Sequence, residues 1–178
     1  MSGVSQFLEK IMIYPRYYFK ANTRYRFHSP YLFHLIETSF DEESNYYDFH
    51  TLGEIYLHLI HKDEPIRSDE FAQKRNQTGL SIGVFAKKAL HPPKQLHELY
   101  RLVKYLKPSA ILELGSCLGS SSVCLALASK CLVLDSVEGN EQFVEIAKDQ
   151  VVKSNCPQIQ FHHQDFSNFL TSHETKKY

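Results

Sequence analysis

Ile111-Leu112-Glu113-Leu114-Gly115-Ser116-Cys117-Leu118-Gly119-Ser120-Ser121-Ser122 joins an apolar run ending in an acid to a glycine-flanked turn and a small-residue helix start. That order is a strand–turn–helix unit of the kind that opens a nucleotide-type site at the end of the first strand of an α/β fold. An anionic group on a helix N-terminus needs bare backbone N–H groups and close approach, which glycine permits. Gly115 and Gly119 supply that, and Ser116, Ser120 and Ser121 add hydroxyl donors.

Downstream the pattern repeats. Cys131–Val137 is an apolar run suited to a strand covered on both faces, and it ends at Glu138. Glu138 stands 23 positions after Gly115, near the offset of about 20 at which a ribose-binding acid follows the first turn. Ile159–His163 reads as a third strand, and Asp165 follows it. Ser120–Ser129 and Glu141–Lys153 read as the intervening helices, with another starting at Phe166. This alternation predicts a Rossmann-like parallel sheet with right-handed crossovers. Residues 108–178 hold only its first three strands, one half of a doubly wound domain.

Residues 1–107 read differently, as a helical region packing on that core. Val4, Phe7, Leu8, Ile11 and Met12 recur at helical spacing before Pro15. Ser29-Pro30 is an N-cap and first-turn pair opening a helix with a Tyr31, Leu32, Leu35, Ile36, Phe40 stripe. Leu52, Ile55, Tyr56, Leu59 and Ile60 form another stripe, residues 62–79 a loop, and Ile82–Leu90 a short helix weakened by Gly83. Pro93–Lys107, with Leu96, Leu99, Tyr100, Val103 and Leu106 on one face and Pro108 behind it, is the clearest helix.

The bulk properties bound the function. The 178 residues are 43% hydrophobic and 22% charged, with 20 Lys plus Arg against 20 Asp plus Glu. That is one ordinary globular domain with no global field for nucleic acid or membrane. Charge alternates along the chain, basic over 1–30, acidic over 37–70 and basic over 71–110, as paired helical layers or a solvated surface would have it. No apolar run approaches a membrane span and no secretory leader precedes the chain, so a cytoplasmic protein is expected. Cys117, Cys124, Cys131 and Cys156 form no CxxC pair and read as reduced thiols. The histidines follow no metal-ligand spacing, and neighbouring His162 and His163 point to opposite faces of a strand, so no metal site is expected. The aromatic–basic run from Tyr14 to Phe27, with Arg16, Lys20, Arg24 and Arg26, has the composition of a base-stacking segment, but such interleaving is also common in plain packing.

Two cofactor classes fit the turn. A dinucleotide wants a third glycine for its pyrophosphate, where this chain has Ser120–Ser122. An adenosyl-amino acid has no pyrophosphate and would value an acid such as Glu113 beside its ammonium. Bland readings stand beside both: Glu138 as a solvated helix cap, and Asp165 as the cap of the helix from Phe166.

ILELGSCLGSSS, then LDSVEGN, then FHHQDF resemble the class I S-adenosylmethionine-dependent methyltransferases, closest to the O-methyltransferase-like branch with the E-x-G-x-x-x-G turn. RFHSPYLFHLIE and KKALHPPKQLHELYRLVKYLKPSAILELG resemble methyltransferase-like proteins of bacterial type with a helical N-terminal extension. The resemblance implies S-adenosylmethionine as cofactor and a small-molecule oxygen nucleophile as methyl acceptor. It places Glu113, Gly115, Ser116 and Gly119 in the loop at the cofactor's methionine end, Ser121 on its carboxylate, Glu138 on the ribose hydroxyls and Asp165 near the adenine amino group. The chain departs from the pattern at Cys117, where such turns often have glycine or an aromatic, and over Asp63–Gly79, which does not match the relatives' glycine-containing acidic loop. Relatives also continue beyond a motif like Lys176-Lys177-Tyr178 into a fourth strand ending in aspartate. The resemblance thus implies a C-terminally truncated methyltransferase. Beside it stand a non-catalytic remnant whose open sheet edge is covered by a partner or a second copy, and an NAD(P)-binding oxidoreductase.

Overall fold

The computed structural model describes residues 28–40, 44–67, 79–129 and 133–172, together with Pro15 and Phe19. The expected helix over Val4–Met12, most of the Tyr14–Phe27 run, Cys131 and Lys176–Tyr178 lie outside the described residues. The chain divides into two compact units, Met1–Glu37 and Thr38–Tyr178. Helix α1 (Pro30–Ser39) starts as its sequence predicts, with the Ser29 hydroxyl accepting from the Leu32 N–H at 3.4 Å.

Among the described residues, three helices of the second unit precede the sheet. Helix α2 (Asp48–Ile60) buries Phe49, Leu52, Ile55 and Leu59, a stripe at helical spacing. Helix α3 (Ile82–Ala89) is capped by Ser81, whose hydroxyl accepts from Val84 N–H at 3.3 Å. Gly83 proves a requirement of this helix: a Cβ there would lie 2.6 Å from the Ile60 carbonyl oxygen at the end of α2. The Gly83 N–H donates to the Lys62 carbonyl at 2.8 Å, so the glycine seats α3 on the outgoing chain. Helix α4 (Pro93–Leu106) opens with proline in its first turn and closes on Lys107 at φ 48°, ahead of Pro108. It buries Leu96, Tyr100 and Val103 as expected, but Leu106 stays 48% exposed.

The described ends of the segment between α2 and α3, residues 61–67 and 79–81, make contacts that a loop reading does not predict. Pro65 bridges Ser81, and Ile66 is buried. Gln142 holds it from outside, donating to Glu64 Oε1 at 3.0 Å and the Pro65 carbonyl at 3.1 Å while accepting from the Arg67 N–H at 2.8 Å. Hydrogen bonds from Lys62 and then Gln142 lower the Glu64 pKa.

The strand–helix units follow in the expected order. They are β1 (Ala110–Leu114), α5 (Ser120–Ala128), β2 (Val133–Glu138), α6 (Glu141–Lys153), β3 (Ile159–His163) and α7 (Phe166–Ser172). The sheet is parallel with order β1-β2-β3. Its register sets Ile111 beside Leu134 and Ile159, and Glu113 beside Ser136 and Phe161. Helix α5 packs on β2 and α6 and also meets α2 and α4. Leu118, Val123, Cys124 and Ala126 are therefore buried in the same core as Leu52, Leu59, Leu96 and Tyr100. The Cys124 thiol donates to the Leu96 carbonyl at 3.1 Å, and burial pushes its pKa up. Along each strand alternate residues face opposite sides. The side away from α5 carries Asp135 and His162, with Phe169 of α7 against the His162 ring. Among the described residues β1 pairs only with β2, and no helix is long and apolar enough to cross a membrane.

Candidate functional site

The turn after β1 extends the sheet before it breaks away. The Gly115 N–H donates to the Val137 carbonyl at 2.8 Å, and the Gly119 N–H closes back on the Ser116 carbonyl at 2.8 Å. Three residues take left-handed conformations, Gly115 at φ 97°, Cys117 at φ 52° and Gly119 at φ 86°. Cys117 holds this conformation with a side chain, at a cost of about 1–2 kcal/mol.

The two glycines serve different neighbours. A Cβ on Gly119 would lie 2.7 Å from the Ala147 Cα and 2.8 Å from its Cβ, so this glycine admits α6 against the turn. A Cβ on Gly115 would meet only the Phe166 ring, at 3.6 Å. Phe166 therefore stands beside the turn, although nothing in its sequence position marked it.

Glu138 ends β2 and is 6% exposed. Its Oε2 accepts from the Cys117 N–H and its Oε1 from the Asn140 N–H, each at 3.0 Å. One carboxylate thereby ties the β1–α5 turn to the β2–α6 turn. Asn140 caps α6, its Oδ1 accepting from the Phe143 N–H at 2.9 Å. Its Nδ2 and the Ser116 hydroxyl are buried without a hydrogen-bond partner among the described residues.

Glu113 lies on the side of β1 that faces α5. Its Oε1 accepts from the Ser121 hydroxyl at 2.6 Å, and its Oε2 accepts from the Ser122 hydroxyl at 2.5 Å and the Ser136 hydroxyl at 2.6 Å. Ser121 thus spends its proton on Glu113. Sequence reasoning missed Ser122 and Ser136. The signal for Ser136 was present, because a hydroxyl inside a buried strand must find a partner.

Asp165 stands at the end of the third strand–turn, where its Oδ1 accepts from the Ser167 N–H at 2.8 Å at the start of α7. The neighbouring histidines diverge: His162 Nε2 lies 2.7 Å from Asp135 Oδ1, and His163 Nε2 lies 3.0 Å from the Gly139 carbonyl. Gly115, Ser116, Gly119, Glu113, Ser121 and Glu138 are thus gathered around one turn by hydrogen bonds and ladder contacts. Asp165 enters from the next strand end over. Among the described residues no cluster of three or more His, Cys, Asp or Glu side chains is arranged to hold a metal ion.

Neither a protein-family model nor a curated relative matches the chain. Solved structures do. The chain is similar to the O-methyltransferase from Bacillus cereus in complex with S-adenosylhomocysteine, at 19% identity over 82% of this chain and 55% of that one, with a TM-score of 0.52. It is similar to the O-methyltransferase TomG from Streptomyces achromogenes in complex with S-adenosylmethionine, at 19% identity over 64% and 51% of the two chains, with a TM-score of 0.48. The S-adenosylhomocysteine-bound methyltransferase PaMTH1 of Podospora anserina matches at 13% identity over 74% and 56%, with a TM-score of 0.48. The chain spans about half the length of each. Its fold, read from the parallel strand–helix units and the Bacillus cereus likeness together, is that of the class I S-adenosylmethionine-dependent methyltransferases.

Proposed function

We propose that the chain binds S-adenosylmethionine at the C-terminal ends of β1 and β2 and serves methyl transfer to a small-molecule oxygen nucleophile. The observation that carries this reading is the hydrogen bonding of Glu138. Each of its carboxylate oxygens accepts one backbone N–H, from Cys117 and Asn140, and a carboxylate oxygen has room for a second donor. Two acceptor sites remain on one rigid group at a strand end, which matches the two hydroxyls of a ribose. Gly115 leaves the end of β1 without a side chain, and Asp165 has Oδ2 left for an exocyclic amine after capping α7 with Oδ1. When bound, S-adenosylmethionine supplies an electrophilic methyl group on a sulfonium. The part of the protein is then to hold the nucleoside and set the line of approach, the kind of positioning that makes large contributions to rate.

Calorimetric titration with S-adenosylmethionine and S-adenosylhomocysteine tests the reading. Saturable binding is expected, weakened about tenfold or more by Glu138→Ala, the equivalent of about 1.4 kcal/mol. Absence of binding by folded protein, or affinity untouched by Glu138→Ala, contradicts it, and preference for NADH would favour a dinucleotide site instead.

A second reading is cofactor binding without catalysis by the chain as given, which spans 55% of the Bacillus cereus enzyme that it matches. Transfer of labelled methyl from S-adenosylmethionine to a panel of phenols and catechols separates the two, since the second reading predicts binding with no transfer.

A further inference from the structure

A cavity of about 310 Å³ opens at the end of the sheet opposite the strand ends that carry Gly115, Glu138 and Asp165. It lies where α5 finishes and β3 begins, lined by Ala126 and Leu127 of α5, by residues 155–158 and by Asp48 of α2. That volume suits a small ligand. One wall is fixed by its backbone: Asn155 turns left-handed at φ 52°, and the Asn155 and Cys156 N–H groups donate to the Val152 and Val151 carbonyls, each at 3.2 Å.

The hydrogen bonds of the lining side chains consume donors and leave acceptors. Gln158 Nε2 donates to the Ala126 carbonyl at 3.1 Å, so its Oε1 remains. The Cys156 thiol donates to the Ser154 carbonyl at 3.4 Å. Burial first, and the Asp48 charge second, push its pKa up, which makes it a neutral wall. Asp48 Oδ2 accepts from the Tyr100 hydroxyl at 2.6 Å, which holds the carboxylate in place and leaves Oδ1. Asn155, exposed, brings a neutral amide. The described residues that line the cavity include no lysine, arginine or histidine, and Lys153, the nearest cation in sequence to Asn155, is paired with Asp149 at 2.7 Å. A matching ligand therefore brings N–H donors, a positive charge and a compact apolar body.

We propose that this cavity is a second binding site, for a small primary ammonium ligand whose cation lies on Asp48 Oδ1 and Gln158 Oε1 and whose apolar body lies against Leu127 and Pro157. The site is separate from the cofactor site and does not depend on it.

Amide NMR during titration with benzylammonium, and with benzyl alcohol as its neutral counterpart, tests the proposal. Wild type is expected to show saturable shifts at Asp48, Ala126, Leu127, Asn155, Cys156 and Gln158. It is expected to bind the ammonium at least about tenfold more tightly than the alcohol, because a charge-assisted hydrogen bond is lost in the exchange. Asp48→Asn keeps the shape and removes the charge, and is expected to weaken benzylammonium binding about tenfold while leaving benzyl alcohol unchanged. Saturating S-adenosylhomocysteine is expected to leave the benzylammonium titration unaltered. Shifts absent from these residues, equal affinities for the two probes, or benzylammonium affinity untouched by Asp48→Asn overturn the proposal, as does displacement of benzylammonium by S-adenosylhomocysteine. Should Asp48→Asn not fold, the wild-type comparison decides: the expected preference at these residues supports the site and equal affinities overturn it. Wild type that does not bind S-adenosylhomocysteine removes the cofactor reading, while the benzylammonium titration still decides the role of this cavity.

Discussion

A Cβ added to Gly119 would lie 2.7 Å from a backbone atom of α6, whereas one added to Gly115 would touch only an aromatic ring at 3.6 Å. Both residues hold positive φ, so alanine at either is strained by about 1–2 kcal/mol. Gly119→Ala adds overpacking against Ala147, worth about 1–3 kcal/mol. Urea denaturation is therefore expected to show Gly119→Ala destabilised by about 2–5 kcal/mol and Gly115→Ala by about 1–2 kcal/mol. Equal losses would remove the distinction between a glycine needed for packing and one needed for its backbone alone. At this scale the sequence was partly legible. The spacing of Gly115, Glu138 and Asp165 located the strand ends, because strand–turn–helix patterning is local. That Glu113 would turn inward to Ser122 and Ser136 was not legible, since it depends on which face of β1 meets α5 and on the β1–β2 register.

Among elements, α3 shows how a local rule yields to a tertiary contact. Helix propensity alone says that Gly83→Ala should stabilise by about 1 kcal/mol. The Ile60 carbonyl, 2.6 Å from the place a Cβ would occupy, reverses the sign. Gly83→Ala is expected to lower stability by about 1–3 kcal/mol in the same denaturation measurement; a gain would show that α3 does not seat on the end of α2. Elements with a strong period matched their expected bounds: α6 and β3 begin and end as read, because apolar patterning and flanking caps coincide there. Strand β2 runs Val133–Glu138, and its last pair, Glu138 with His163, carries the ladder through the acid that the reading had set just beyond the strand. The interior polar residues of β2 follow from pairing across strands: Asp135, 1% exposed, meets His162, and Ser136 meets Glu113. Such partners are distant in sequence and become visible only with the register.

Across the second unit as a whole, helices and sheet share one core, and its polar contacts make stability depend on pH. His97 stacks on Phe49 at 3.8 Å between ring centroids, with its Nε2 buried and unpartnered among the described residues. Burial first, and Arg101 second, hold its pKa below the ordinary 6.5. The unfolded chain therefore takes up the proton at a higher pH than the folded one, so stability is lost as pH falls from 6.5 through the lower folded value. The urea midpoint is expected to drop between about pH 7.5 and 5.5, and His97→Phe to flatten that drop; an identical slope in the variant would assign the pH dependence to other groups. The central claim, that the turn between β1 and α5 together with Glu138 receives the nucleoside of S-adenosylmethionine, is tested most directly by amide NMR during titration with S-adenosylhomocysteine. The account predicts saturable shifts concentrated at Gly115–Gly119, Glu138–Asn140 and Asp165–Phe166. Shifts centred elsewhere, or none in a folded sample, would contradict it.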